Sequence, residues 1–155
     1  MTPSFTLREL PVSAAPWDLL LLADPSRAQI ERYLPDSSLL ALMIDDAEPA
    51  GVLVLTPREE GYVEITNLAV AEAWQRRGLG RRLLEATIEA ARQQGIERLE
   101  IATGNSSLDQ LGLYQRCGFR IVGVEPDYFL DHYPELISEN GIVCRDRILL
   151  ALWLD

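Results

Sequence analysis

Between Tyr62 and Thr103 the chain reads as a strand, a glycine turn, a long amphipathic helix and a second strand. Tyr62–Val70 has the β-branched alternation of a strand. Over Gln75–Gln94, the residues Leu79, Leu83, Leu84, Ala86, Ile88, Ala90 and Ala91 recur at helical spacing and predict one apolar face. Gly95 is placed to stop that helix. Arg98–Thr103 reads as the next strand. Two strands joined through a helix cannot form a hairpin, so they are expected to lie parallel, with a right-handed crossover. This unit limits the fold more than any other stretch of the sequence.

The remaining elements fit around it. Phe5–Leu10 alternates as a first strand, and Pro16 and Pro25 open short helices over Trp17–Leu22 and Ser26–Tyr33. Leu39–Ile44 and Gly51–Thr56 read as antiparallel strands across a turn at Asp45–Pro49, and Pro57–Gly61 turn the chain again. A helix capped by Ser106 or Ser107 runs to Arg116, followed by strands at Phe119–Val124 and Arg147–Leu154. The intervening Glu125–Asn140 stretch is aromatic and acidic and receives no regular element. The expectation is one α+β domain over residues 1–155, with a mixed, mostly antiparallel seven-stranded sheet and four helices.

The chain of 155 residues is long enough to bury a core, and its formal net charge is −10. That charge argues against nucleic acid as a partner, which calls for a basic face. Between Trp74 and Arg98 the balance reverses, with six arginines against three glutamates. A basic spot on an acidic protein suits an anionic cofactor. No apolar run reaches the roughly 20 residues of a bilayer span, the N-terminus lacks a signal-peptide core, and two cysteines make no disulfide framework. The expected location is the cytoplasm, with no membrane partner. All fourteen basic side chains are arginine, which excludes mechanisms that need a lysine.

The segment Gln75-Arg76-Arg77-Gly78-Leu79-Gly80 carries the first chemical signal. Glycines at a helix start admit a ligand to the backbone, the first helical amides attract anions, and arginines add charge-assisted contacts to phosphate. A dinucleotide loop would place a third glycine where Leu83 stands, and a Walker loop would need Gly-Lys-Ser/Thr.

Leu68-Ala69-Val70, the Gln75–Gly80 turn, Asn105, and Tyr114 followed by Gly118-Phe119 together resemble the GNAT N-acetyltransferase superfamily. The match runs from Tyr62 to Arg120. The resemblance implies that strands four and five splay around acetyl-CoA, with no metal. It implies that the backbone of Leu68, Ala69 and Val70 pairs with the pantetheine arm, and that the Leu68 amide or a neighbour polarises the thioester. Gln75, Arg76, Arg77, Gly78, Leu79, Gly80 and Arg81 would hold the pyrophosphate, and Asn105 would touch the cofactor, with a helix-capping or turn role as the equal and compatible alternative. Tyr114 matches the general acid, since a phenol with pKa about 10 stays protonated at neutral pH.

Glu64 matches a position where some members place a general base. It lies four residues from Leu68, about 13 Å along a strand at roughly 3.3 Å per residue, so a water relay or substrate positioning is the easier role. By strand alternation Asn67 points to the opposite face and reads as structural. Cys117 and Cys144 read as small core residues. His132, the one histidine, is a second candidate base.

The expected reaction is direct acetyl transfer to a primary amine of a small molecule. A protein N-terminus is the alternative, because the N-L-A-V…Q-R-R-G-L-G run also resembles the ribosomal-protein N-terminal acetyltransferases. A module that binds acyl-CoA without turnover is the non-enzyme alternative. In the Glu125–Arg145 segment, Asp127, Asp131 and Glu135 interleave with Tyr128, Phe129 and Tyr133, which would suit an organic cation, a packed loop or a homodimer contact.

Overall fold

The computed structural model describes residues 2–59 and 61–154, so Glu60 of the expected Pro57–Gly61 turn lies outside the described residues. Seven strands form one sheet: β1 (Phe5–Leu10), β2 (Ser38–Ile44), β3 (Glu48–Pro57), β4 (Tyr62–Val70), β5 (Arg98–Gly104), β6 (Arg120–Glu125) and β9 (Arg147–Trp153). Their order is β1-β2-β3-β4-β5-β9-β6. Every neighbouring pair is antiparallel except β4–β5, the parallel pair joined through helix α3 (Leu79–Gln93). This is the mixed α+β sheet expected from the sequence.

Both faces of the β2–β4 half are covered. Helix α3 buries Leu79, Leu83, Leu84, Thr87, Ile88 and Ala91, packing its aliphatic stripe with Leu42, Leu53, Ile65 and Leu99. On the other face α1 (Trp17–Ala23) and α2 (Arg27–Tyr33) bring Leu19, Leu20 and Ile30 against Val52, Val54 and Ala69. Burial on both sides explains why Leu39–Ile44 and Val52–Leu55 are continuous apolar runs rather than alternating ones.

Helix α3 is shorter than expected at its start. Arg76 (φ 64°) and Gly78 (φ 77°) are left-handed, so Gln75–Gly78 form a turn and the helix begins at Leu79. At its far end the Gly95 amide bonds Arg92 O and the Ile96 amide bonds Ala91 O, at 3.1 and 3.0 Å, with Gly95 at φ 76°. These are the two reverse bonds of a glycine C-cap.

Among the described residues there are five α-helices where four helices were expected. The extra one, α5 (Tyr128–His132), and a two-stranded hairpin of β7 (Ile137–Glu139) and β8 (Ile142–Cys144) occupy the stretch that received no element. The hairpin turns on Asn140 and Gly141, both with φ above 50°. Asn-Gly is the strongest short hairpin signal because both central residues of that turn need positive φ, so this element was legible in the sequence. Among the described residues, no helix is long and apolar enough to cross a membrane.

Candidate active site

The parallel strands separate part way along. β4 pairs with β5 only over Tyr62–Ile65, opposite Arg98–Ile101, while β5 continues along β9 to Gly104. The parting coincides with a bulge: Val54 opposes Asn67 and Leu55 opposes Ile65, leaving Thr66 as an extra residue in β4. Beyond it, the Ala71 amide bonds Ala50 O at 2.8 Å on the β3 side. By alternation Ala69 also faces β3, so the main-chain groups of Leu68 and Val70 point into the gap. Of the three residues expected to pair with a ligand backbone, only these two have groups to offer. The Val70 carbonyl already accepts from Gln75 Nε2 at 2.9 Å.

The glycine turn sits at the near end of that gap. Gly78 caps α3 without a side-chain hydrogen bond, and the amides of Leu79, Gly80 and Arg81 have no acceptor within the helix. A Cβ on Gly78 would meet nothing within 4 Å, so its glycine serves the positive φ. The Leu79 side chain is buried in the core, leaving its amide as the contribution to the turn. Arg77 lies over the Trp74 ring, 4.8 Å from its centroid, and Arg81 pairs with Glu85 at 3.4 Å. The turn is thus a row of backbone donors flanked by arginines, which is chemistry for a polyanion.

A cavity of about 480 Å³ opens from the splay. Its walls include Leu68, Asn67, Glu64, Tyr114, Tyr33 and Tyr133. Tyr114, on α4 (Leu108–Arg116), is buried, and desolvation alone pushes its phenol well above the ordinary tyrosine range. It therefore stays protonated. Tyr33 is pushed up to about 12, mainly by burial and against a lowering hydrogen bond from Asn67.

Glu64 is less free than the sequence suggested. Arg58 Nε lies 2.9 Å from its Oε1 and Arg147 Nη2 3.2 Å from its Oε2. Arg147 also bonds Glu125, so one guanidinium bridges two carboxylates. With both Glu64 oxygens turned to arginines, the arrangement favours anchoring over proton abstraction.

Two other expectations change, for Asn67 and His132, and that for Asn105 narrows. The Thr66 bulge resets the alternation, so Asn67 lines the same cavity as Glu64 instead of facing away. Its Nδ2 donates to Leu20 O and to the Tyr33 hydroxyl, each at 3.1 Å. Asn105, expected against the cofactor or as a capping or turn residue, has the turn role here: its Oδ1 accepts from the amides of Arg145 and Asp146 at 2.8 and 2.9 Å, and its Nδ2 donates to Val143 O. It pins the chain that follows the hairpin. His132 is exposed, bonds Tyr128 O through Nδ1 and stacks on the Tyr128 ring 4.1 Å away, outside the cavity wall.

The α5–hairpin segment roofs the cavity with Tyr128, Phe129, Tyr133 and Ile137. Most of its acids face elsewhere: Asp127 pairs with Arg145 at 2.8 Å, and Asp131 and Glu135 are exposed. Glu139 does line the cavity and accepts from Ser107 Oγ at 3.0 Å. Cys144 is buried against Gly104, consistent with the small core role, and Cys117 is half-buried. Among the described residues, no group of three or more His, Cys, Asp and Glu is arranged to hold a metal ion.

The splayed parallel pair beside a helix-capping anion turn is the frame that the sequence resemblance implied, and residues 6–119 match the family model described as acetyltransferase (GNAT) family. The chain belongs to the GNAT family of acetyltransferases; its activity class is N-acetyltransferase. It is 48% identical over 136 residues to the "Uncharacterized N-acetyltransferase YvbK" of Bacillus subtilis (strain 168), covering 88% of this chain and 87% of that one. Among solved structures it resembles "IAA acetyltransferase from Bacillus cereus ATCC 14579", with 46% identity, a TM-score of 0.93 and coverage of 97% and 100%. It also resembles a GNAT family acetyltransferase from Elizabethkingia anophelis with acetyl-CoA bound, with 44% identity, a TM-score of 0.92 and coverage of 97% and 98%.

Proposed function

We propose that this chain transfers an acetyl group from acetyl-CoA directly to a primary amine of a small molecule. The observation that carries the reading is the opening of β4 from β5 at Thr66, with the Leu68 main chain and Tyr114 on the wall of one cavity. The residues present fit the donor. Leu68 offers a backbone N–H and C=O to an amide-bearing arm, and the first amides of α3, with Arg76, Arg77 and Arg81 nearby, offer donors to a diphosphate. When bound, acetyl-CoA supplies the activated acyl group; the protein supplies position and polarity.

In this reading the amine nitrogen attacks the thioester carbonyl carbon. The Leu68 amide donates to the oxygen on which charge develops. The carbon–nitrogen bond forms, the carbon–sulfur bond breaks, and the leaving sulfur takes the Tyr114 proton. The proton shed by the amine passes to water and restores the phenol. Tyr114 is a weaker acid than an ordinary thiol, but the same desolvation raises the proton affinity of a nascent thiolate beside it. Glu64 holds Arg58 and Arg147 against the cavity wall and thereby shapes the acceptor side.

The roof favours a compact acceptor. Tyr133 crosses from α5 to Asp24 at the end of α1, closing over the space that an extended peptide would thread. A thiol-release assay over small amines and short peptides, run on the wild type and on Tyr114→Phe, tests the reading. The expected result is turnover of a small amine, with kcat lowered roughly 10²-fold in the variant and acetyl-CoA affinity kept. Unchanged turnover in Tyr114→Phe removes Tyr114 from the mechanism. A preference for peptides moves the acceptor to protein N-termini, and coenzyme binding without thiol release from any acceptor leaves a sensor module.

A further inference from the structure

The two ends of the sheet are finished differently. At one end β1 is guarded by polar side chains, with Thr6 and Arg8 both bonded to Asp46. At the other, β6 reads Arg-Ile-Val-Gly-Val-Glu and leaves Ile121, Val122 and Val124 exposed by 52%, 50% and 52%. On the neighbouring strand Trp153 is 54% exposed. An apolar strand with one unpaired edge is a template for another strand, and proteins that stay monomeric blunt such edges.

The sequence of β6 says which strand fits it. Laid antiparallel against a second copy of itself, with the two-fold axis between Val122 and Gly123, it sets Arg120 opposite the partner's Glu125. Ile121 then meets the partner's Val124. Val122, which bulges in the pairing with β9, meets the partner's Gly123, the residue without a side chain. Charge, apolar area and space are all self-complementary, as a two-fold interface requires. We propose that β6 pairs with β6 of a second copy, joining two seven-stranded sheets edge to edge.

This interface would touch the site. Glu125 bonds Arg147, which lines the large cavity and bonds Glu64. The partner's Arg120 would approach the Glu125 carboxylate from outside, so each copy would help fix the arginine in the other's acceptor wall. The inference stands independently of the acetyl-transfer reading.

Sedimentation equilibrium and light scattering on the full chain provide the test. The wild type is expected at twice the 17.4 kDa of one chain. Val122→Arg, at a half-exposed position, is expected to give monomers with an unchanged circular dichroism spectrum. Arg120→Glu and Glu125→Arg, each alone, place like charges opposite one another and are expected to be monomeric; mixed, they restore both pairs and form a heterodimer. A wild type that stays monomeric overturns the proposal. So do single variants that stay dimeric, or a mixture that fails to associate.

Discussion

The Tyr133 hydroxyl donates to Asp24 Oδ1 at 2.8 Å, joining residues 109 positions apart across the mouth of the cavity. Other bonds from this segment run to the β5–α4 side, through Ser106, Ser107 and Asn105. The Tyr133–Asp24 bond therefore ties the roof to the α1–α2 side. Tyr133→Phe keeps the ring and removes the bond. The expected cost is about 1–2 kcal/mol of stability, together with a higher KM for the acceptor and little change in affinity for acetyl-CoA. Thermal unfolding and steady-state kinetics check this; an unchanged acceptor KM would mean that the bond does not shape the acceptor site.

Tyr114 gives a prediction with a definite sign in pH. Its folded pKa is raised by burial, whereas the unfolded phenol ionises at about 10. Stability from this group is therefore fully present below about pH 10 and is lost as pH rises toward the folded value, at about 1.4 kcal/mol per unit. Tyr33, pushed up to about 12, adds to the loss over the same range. Denaturant titrations from pH 8 to 11 should show a flat region followed by a decline that Tyr114→Phe makes shallower. Tyrosinate at the Tyr114 site in folded protein near pH 10 would contradict the burial argument.

Glu64→Gln separates a base from an anchor. Glutamine keeps an acceptor oxygen for one arginine and removes the charge that holds both. If Glu64 anchors Arg58 and Arg147, kcat should fall by less than about tenfold while acceptor KM rises. A general base would cost roughly 10²-fold or more in kcat. The pH profile decides the matter: loss of an acidic limb in the variant would restore the base assignment.

Gly78→Ala probes the anion turn. No atom lies within 4 Å of the added Cβ, so the cost is the positive φ alone, about 1 kcal/mol. Gly51→Ala is the opposite case, since its Cβ would meet Leu83 Cδ1 at 2.9 Å in the packed α3 face. Melting with and without coenzyme A should show a loss of ligand-induced stabilisation for Gly78→Ala and not for Gly51→Ala. Equal losses would show that the turn geometry is not what the ligand reads.

Much of the site's frame was legible because it is local. The β4–α3–β5 unit, the glycine turn and the buried Tyr114 on α4 follow from spacing within a few turns or strand repeats. The α5–hairpin roof was half-legible: Asn140-Gly141 signalled a turn, but nothing local said that the hairpin would close over β4.

What the sequence alone determined, then, is the sheet, the crossover and the glycine turn that opens α3, since periodicity and glycine positions act over short range. The acceptor side was decided by tertiary structure. One bulged residue, Thr66, swung Asn67 into the cavity, and no periodic pattern reports a single-residue insertion against a partner strand. Arg147 reached Glu64 across 83 positions, and Asn105 was taken up by a loop 40 residues on. Hydrogen-bond demand, not propensity, selects such partners, and it acts only once the fold has brought the side chains together.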